Sequence, residues 1–194
     1  MQESYILSLY RFRNTVFTPK DLALIWKDSN PKEIKRRIYR YVKAGKLYRI
    51  RRGFYAKDKN YDRLELATKI YTPSYISFET VLAKAGIVFQ YYGQIFVASY
   101  LSREITADNQ AYVYRKMKDP ILTNNAGIEI KNNYSIASPE RAFLDTLYLY
   151  KEYHFDNLSP LNWEKVFEIL PIYQNKKMES RVQKYFKNIP KETK

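Results

Sequence analysis

A chain of 194 residues, 45% of them hydrophobic, has room for one domain or two small ones with ordinary cores, which excludes wholesale disorder. It has no cysteine and a single histidine, His154, so disulfides, thiolate chemistry, a zinc site and a serine or cysteine triad all lack their usual groups. The formal charge of +14 is uneven: residues 1–60 hold 16 Lys or Arg against 5 acids, residues 61–194 hold 18 against 15, and polyanion binding is therefore expected of the first third.

No apolar run approaches the roughly 20 residues of a membrane span, and Met1-Gln2-Glu3-Ser4-Tyr5 lacks the blocks of a signal peptide. A cytoplasmic protein without membrane contact is expected. Tyr5, Ile6, Leu9 and Phe12 stand at helical spacing and predict an amphipathic first helix, after which Val16-Phe17 reads as an apolar lead-in. Thr18 then caps a second helix with Pro19 at its first position, Asp21 at its third, and Leu22, Ile25 and Trp26 facing inward. Asp28-Ser29-Asn30 makes a turn into a third helix, which Asn30 caps and Pro31 opens; Glu33 can reach back to the cap, and Gly45 closes the helix. On a helical wheel Ile34, Ile38, Tyr41 and Val42 take one side and Lys32, Arg36, Tyr39, Arg40 and Lys43 the other. Two short β-forming runs follow, joined by a turn at Arg52-Gly53.

A basic helix followed by a basic hairpin is the pattern of a recognition helix and wing. Between Lys32 and Arg52 stand ten Lys or Arg and one acid, Glu33, a density suited to salt-sensitive DNA binding. A charge run is most often a solvated face, but here the charges coincide with the two elements that a winged helix presents to a duplex. Residues 1–57 are thus expected to form a winged helix-turn-helix, with a polar linker at about 57–61 and an α+β domain over 61–194 that holds a small sheet and several helices.

In that second part Asp62–Ile70 reads as a helix and Tyr75-Ile76-Ser77 as a short strand, with Ser77 capping a helix closed by Gly86. Gln94–Tyr100 and Ala111–Met117 read as strands, and Ile128–Lys131 with Tyr134–Ala137 as a hairpin. Ser138-Pro139 opens a helix with Phe143, Leu144, Leu147 and Tyr148 as its stripe; helices at about 162–169 and 174–186 follow, with fraying expected from Lys187. This half shows no cationic strip of its own.

The run Arg51-Arg52-Gly53-Phe54-Tyr55, then Tyr75-Ile76-Ser77 before a helix, then Ala137-Ser138-Pro139-Glu140-Arg141-Ala142-Phe143-Leu144-Asp145 resembles the AbiEi family, antitoxins of type IV toxin-antitoxin systems in bacterial abortive-infection loci. The resemblance covers about residues 5–150. It implies a winged helix that binds repeats in the promoter of its own operon and represses it, and a C-terminal antitoxin domain. It also implies a nucleotidyltransferase-like toxin as functional partner without a stable complex. From the composition no enzymatic activity, metal or cofactor is expected. Double-stranded DNA would be bound as a monomer or a dimer.

The candidate DNA contacts are Arg36 and Arg40 for base edges or phosphates, Tyr39 for a phosphate or thymine methyl, and Lys32 and Lys43 for phosphates. Arg51 and Arg52 would sit at the wing tip, and Thr18 and Lys20 at the start of the second helix, where Thr18 is equally a plain cap. Lys35 and Arg37 lie nearer the buried flank. Asp119 with Glu129-Ile130-Lys131 imitates a metal-dependent nuclease spacing, which a charged hairpin explains as well. Arg141 and Asp145, one helical turn apart, read as an ordinary surface ion pair, and His154 as a histidine without catalytic partners. The alternatives to an autorepressor and antitoxin are a general winged-helix regulator whose second domain senses a ligand or dimerises, and a nuclease or nucleic-acid-modifying protein.

Overall fold

The computed structural model describes residues 5–90 and 92–188 and is α+β. It divides into two compact units: one runs up to Leu66 and takes in Ala107–Asn109, and the other comprises Ala67–Thr106 and the chain from Gln110 on. The division thus falls a few residues beyond the polar stretch 57–61. Glu65 belongs to the first unit because its carboxylate accepts the Thr15 N–H at 2.8 Å and the Thr15 hydroxyl at 2.7 Å.

In the first unit the capping chemistry sets the helix limits. Helix α1 covers Tyr5–Tyr10, and the Trp26 indole N–H donates to the Tyr5 carbonyl at 2.8 Å. Helix α2, Pro19–Trp26, opens on a reciprocal box: the Thr18 N–H donates to Asp21 Oδ2 and the Asp21 N–H to Thr18 Oγ1. Helix α3, Pro31–Lys43, is capped by Asn30 Oδ1, which accepts from the N–H groups of Lys32 and Glu33. Glu33 pairs with Arg36 at 3.1 Å instead of reaching back to the cap. Gly45 takes φ +67°, as a left-handed helix end requires.

Strands β2 (Tyr48–Arg51) and β3 (Phe54–Ala56) form the hairpin around Gly53, at φ +84°. Val16–Phe17 is more than a lead-in. It forms strand β1, which pairs antiparallel with β3, giving a three-stranded sheet in the order β1-β3-β2. Leu9, Phe17, Leu22, Trp26, Ile34, Ile38 and Leu47 make one core. Each such side chain contributes about 1.5–3 kcal/mol through burial.

The second unit is built on a six-stranded mixed sheet, larger than the small sheet expected. It comprises β4 (Ser74–Ile76), β5 (Ile95–Ser99), β6 (Arg103–Ala107), β7 (Gln110–Lys116), β8 (Ile128–Lys131) and β9 (Tyr134–Ala137), in the order β6-β7-β5-β4-β9-β8. The pairs β5–β7 and β4–β9 are parallel; β4–β5 and β8–β9 are antiparallel. Strand β6 has no counterpart among the expected strands, because its Arg103-Glu104 start masks a strand pattern.

Helices α4 (Arg63–Ile70), α5 (Glu79–Lys84), α6 (Asp119–Leu122), α7 (Pro139–Leu149), α8 (Trp163–Ile169) and α9 (Lys176–Lys187) complete the described fold. Ser77 does not cap α5. Phe78 holds the cap position at φ +55° without a side-chain bond, and the Ser77 hydroxyl turns to Asp145. Helix α7 is buried from Glu140 through Leu147, on every face rather than along one stripe. The nearly neutral second half does contain one basic element, because α9 carries Lys176, Lys177, Arg181, Lys184 and Lys187 against Glu179 alone. Arg181 is already engaged, donating to the carbonyls of Leu147, Tyr150 and Lys151 near the end of α7. Apart from Lys187 and Asn188, at the end of α9, the tail expected to fray lies outside the described residues.

Candidate nucleic-acid interface

On α3 the buried Ile34 and Ile38 fix which side faces solvent. Lys32, Arg36, Tyr39, Arg40 and Lys43 are all exposed, as the wheel predicts. The Arg36 side chain is 67% exposed and Tyr39 66%. Beside this strip runs a groove of about 660 Å³ bounded by the start of α2, α3 and the hairpin. Its lining is mainly apolar, including Ala23, Ile34, Ile38 and Val42, and is joined by Lys20, Lys35, Arg49 and Arg52 and by the acid Asp28. Exposed cations on three elements therefore line one concave surface, where each phosphate engaged would displace condensed counterions.

The residues expected to contact DNA differ in their exposure. Arg52 is exposed, but Arg51 is half-buried, and its Nη1 is enclosed without a hydrogen-bond partner among the described residues. The register between β2 and β3 shifts between Arg49 and Arg51, so strand alternation does not place the two on one side. Arg49, absent from the expected set, is the exposed arginine of the strand. Lys35 likewise opens into the groove, although its position on the wheel marked it as weaker.

Arg37 is set into the unit instead. Its guanidinium lies 3.8 Å from the centre of the Tyr5 ring and 3.0 Å from Asp28. Lys20 is exposed, while Thr18 is half-buried with its hydroxyl committed to the Asp21 N–H, so capping is the role its geometry gives it.

Elsewhere Glu129 and Lys131 are exposed on the edge strand β8, and Asp119 opens α6. Among the described residues no group of three His, Asp or Glu side chains is placed to hold a metal ion. His154 is 88% exposed and lies 3.6 Å from Asp156.

Arg141 and Asp145 are no surface pair: both side chains are 0% exposed. Asp145 Oδ1 accepts from Arg141 Nε at 3.2 Å, the Tyr75 hydroxyl at 3.2 Å and the Tyr173 hydroxyl at 2.7 Å, and its Oδ2 from Ser77 at 2.7 Å. Arg141 Nη1 and Nη2 donate to the carbonyls of Ala126 and Ile121, each at 2.7 Å, and Nη2 also to the Tyr75 oxygen. Burial pushes the Asp145 carboxyl up, and the adjacent guanidinium and hydroxyl donors oppose it. Burial and the Asp145 charge push Tyr75 and Tyr173 well above the ordinary tyrosine value. With these donors and acceptors matched and no solvent access, the cluster braces the unit.

No protein-family model matches the chain, and no curated protein does either.

Proposed function

We propose that the first unit is a winged helix-turn-helix and that the protein is a DNA-binding autorepressor, with α3 entering the major groove and the hairpin lying alongside the backbone. The observation that carries this reading is the shared exposure of Lys32, Arg36, Arg40 and Lys43 on α3 with Arg49 and Arg52 on the hairpin. Such a surface suits phosphate neutralisation along a duplex, with arginine able to read guanine bidentately. The antitoxin role, opposing a nucleotidyltransferase-like toxin in a type IV system, is proposed on the sequence resemblance in both halves of the chain.

The test is affinity for the DNA upstream of its own reading frame, measured against scrambled duplex at several salt concentrations. Arg36→Ala with Arg40→Ala should abolish the preference for the upstream DNA while thermal stability stays unchanged. Retained specific affinity would overturn the assignment. The antitoxin half is tested separately, by co-expression with a nucleotidyltransferase-like toxin. Growth should recover in the presence of this chain, and continued growth arrest would remove that half of the reading alone.

A further inference from the structure

The six-stranded sheet ends on β8, whose outer side no strand covers among the described residues. Its backbone directions follow from the hairpin. Glu129 pairs with Ile136 and Lys131 with Tyr134, and the Ser138 N–H donates to the Gly127 carbonyl at 2.7 Å. Antiparallel ladders alternate, so residues 127, 129 and 131 turn their peptide groups toward β9 while Ile128 and Ile130 turn theirs outward. The Ile128 N–H is taken by the Asn125 carbonyl at 3.0 Å, which leaves Ile130 with both an N–H and a C=O directed at the open edge. The Ile130 side chain is 84% exposed. Glu129 and Lys131 flank it, exposed, and their side chains make no hydrogen bond or ion pair among the described residues.

We propose that this edge pairs with the same edge of a second copy of the chain, antiparallel and centred on Ile130. In that register the two Ile130 residues exchange both N–H to C=O bonds and set their side chains together. Glu129 of each copy then stands opposite Lys131 of the other, in the closer, non-hydrogen-bonded positions.

The charges also select the register. Sliding by one residue sets outward peptide groups against inward ones. The neighbouring registers that keep the hydrogen bonds in phase place Glu129 opposite Glu129 or Lys131 opposite Lys131, and parallel pairing sets like charges side by side. A single edge lysine ordinarily repels a second strand; the acid two residues away converts that guard into a complementary pair. The contact is isologous, as a two-fold dimer requires. Four residues bury little surface, so the association is weak.

Sedimentation equilibrium of the full chain without DNA tests this independently of the repressor reading. Wild type should pass from monomer to dimer with concentration. Lys131→Glu and Glu129→Lys should each dimerise about tenfold more weakly, because both cross-strand pairs become like-charged. An equimolar mixture of the two variants should recover wild-type association as a heterodimer, which also shows that both variants are folded. A wild type that stays monomeric throughout, variants that dimerise as wild type does, or a mixture that recovers nothing would each overturn the proposal.

Discussion

Arg141 donates through all three guanidinium nitrogens to groups that come from four separate stretches of chain, and Asp145 collects three hydroxyls besides. Removing one side of such a pair leaves a buried charge without compensation. Asp145→Ala should therefore destabilise the protein by about 3–5 kcal/mol in urea unfolding. Gly127 lies beside this cluster at φ +69°, where an added Cβ would come within 2.7 Å of Ile169 Cδ1 and 2.9 Å of Arg141 Cβ. Gly127→Ala should cost about 2–4 kcal/mol by the same measurement.

The buried tyrosines set the alkaline limit. Tyr75 and Tyr173 hold their protons more tightly folded than unfolded, where they titrate near 10.0. Below that value both states are protonated and their contribution is fully present. Above it only the unfolded chain releases protons, so stability falls. Melting temperature should be level up to the ordinary tyrosine value and drop beyond it, less steeply in Tyr173→Phe. The sequence could not disclose this site, because an Arg and an Asp four residues apart look the same on a surface helix. What buries them is Tyr75, Ser77 and Tyr173, which lie 28 to 70 residues from Asp145 in the chain.

Among the elements, α2 and α3 were legible because local chemistry ends them: Thr18 with Asp21, Asn30 with Pro31, and Gly45 after the last turn. Strand β1 was not legible, since two residues carry no period and their strand character comes from pairing with β3. The hairpin was legible as a hairpin, but its displayed side was not, because a register shift separates Arg49 from Arg51. That difference is testable on the proposed DNA complex. Arg49→Ala should weaken binding about equally for all sequences and reduce the salt slope by about one. Arg51→Ala, starting from a half-enclosed side chain, should change the slope little.

For the molecule as a whole, the mixed α+β character followed from alternating strand and helix patterns. The sheet order did not, because parallel pairs such as β5–β7 depend on contacts that no local pattern encodes. If the seven exposed cations of α3 and the hairpin each engage a phosphate, the logarithm of affinity should fall with the logarithm of salt at a slope of about −6. In the first unit β3 has a strand on either side, β1 and β2, so the hairpin stem is held in place before any ligand arrives. Titration calorimetry with duplex should accordingly give a modest heat-capacity change that scales with the contact surface alone, without the larger increment of a segment that folds as it docks.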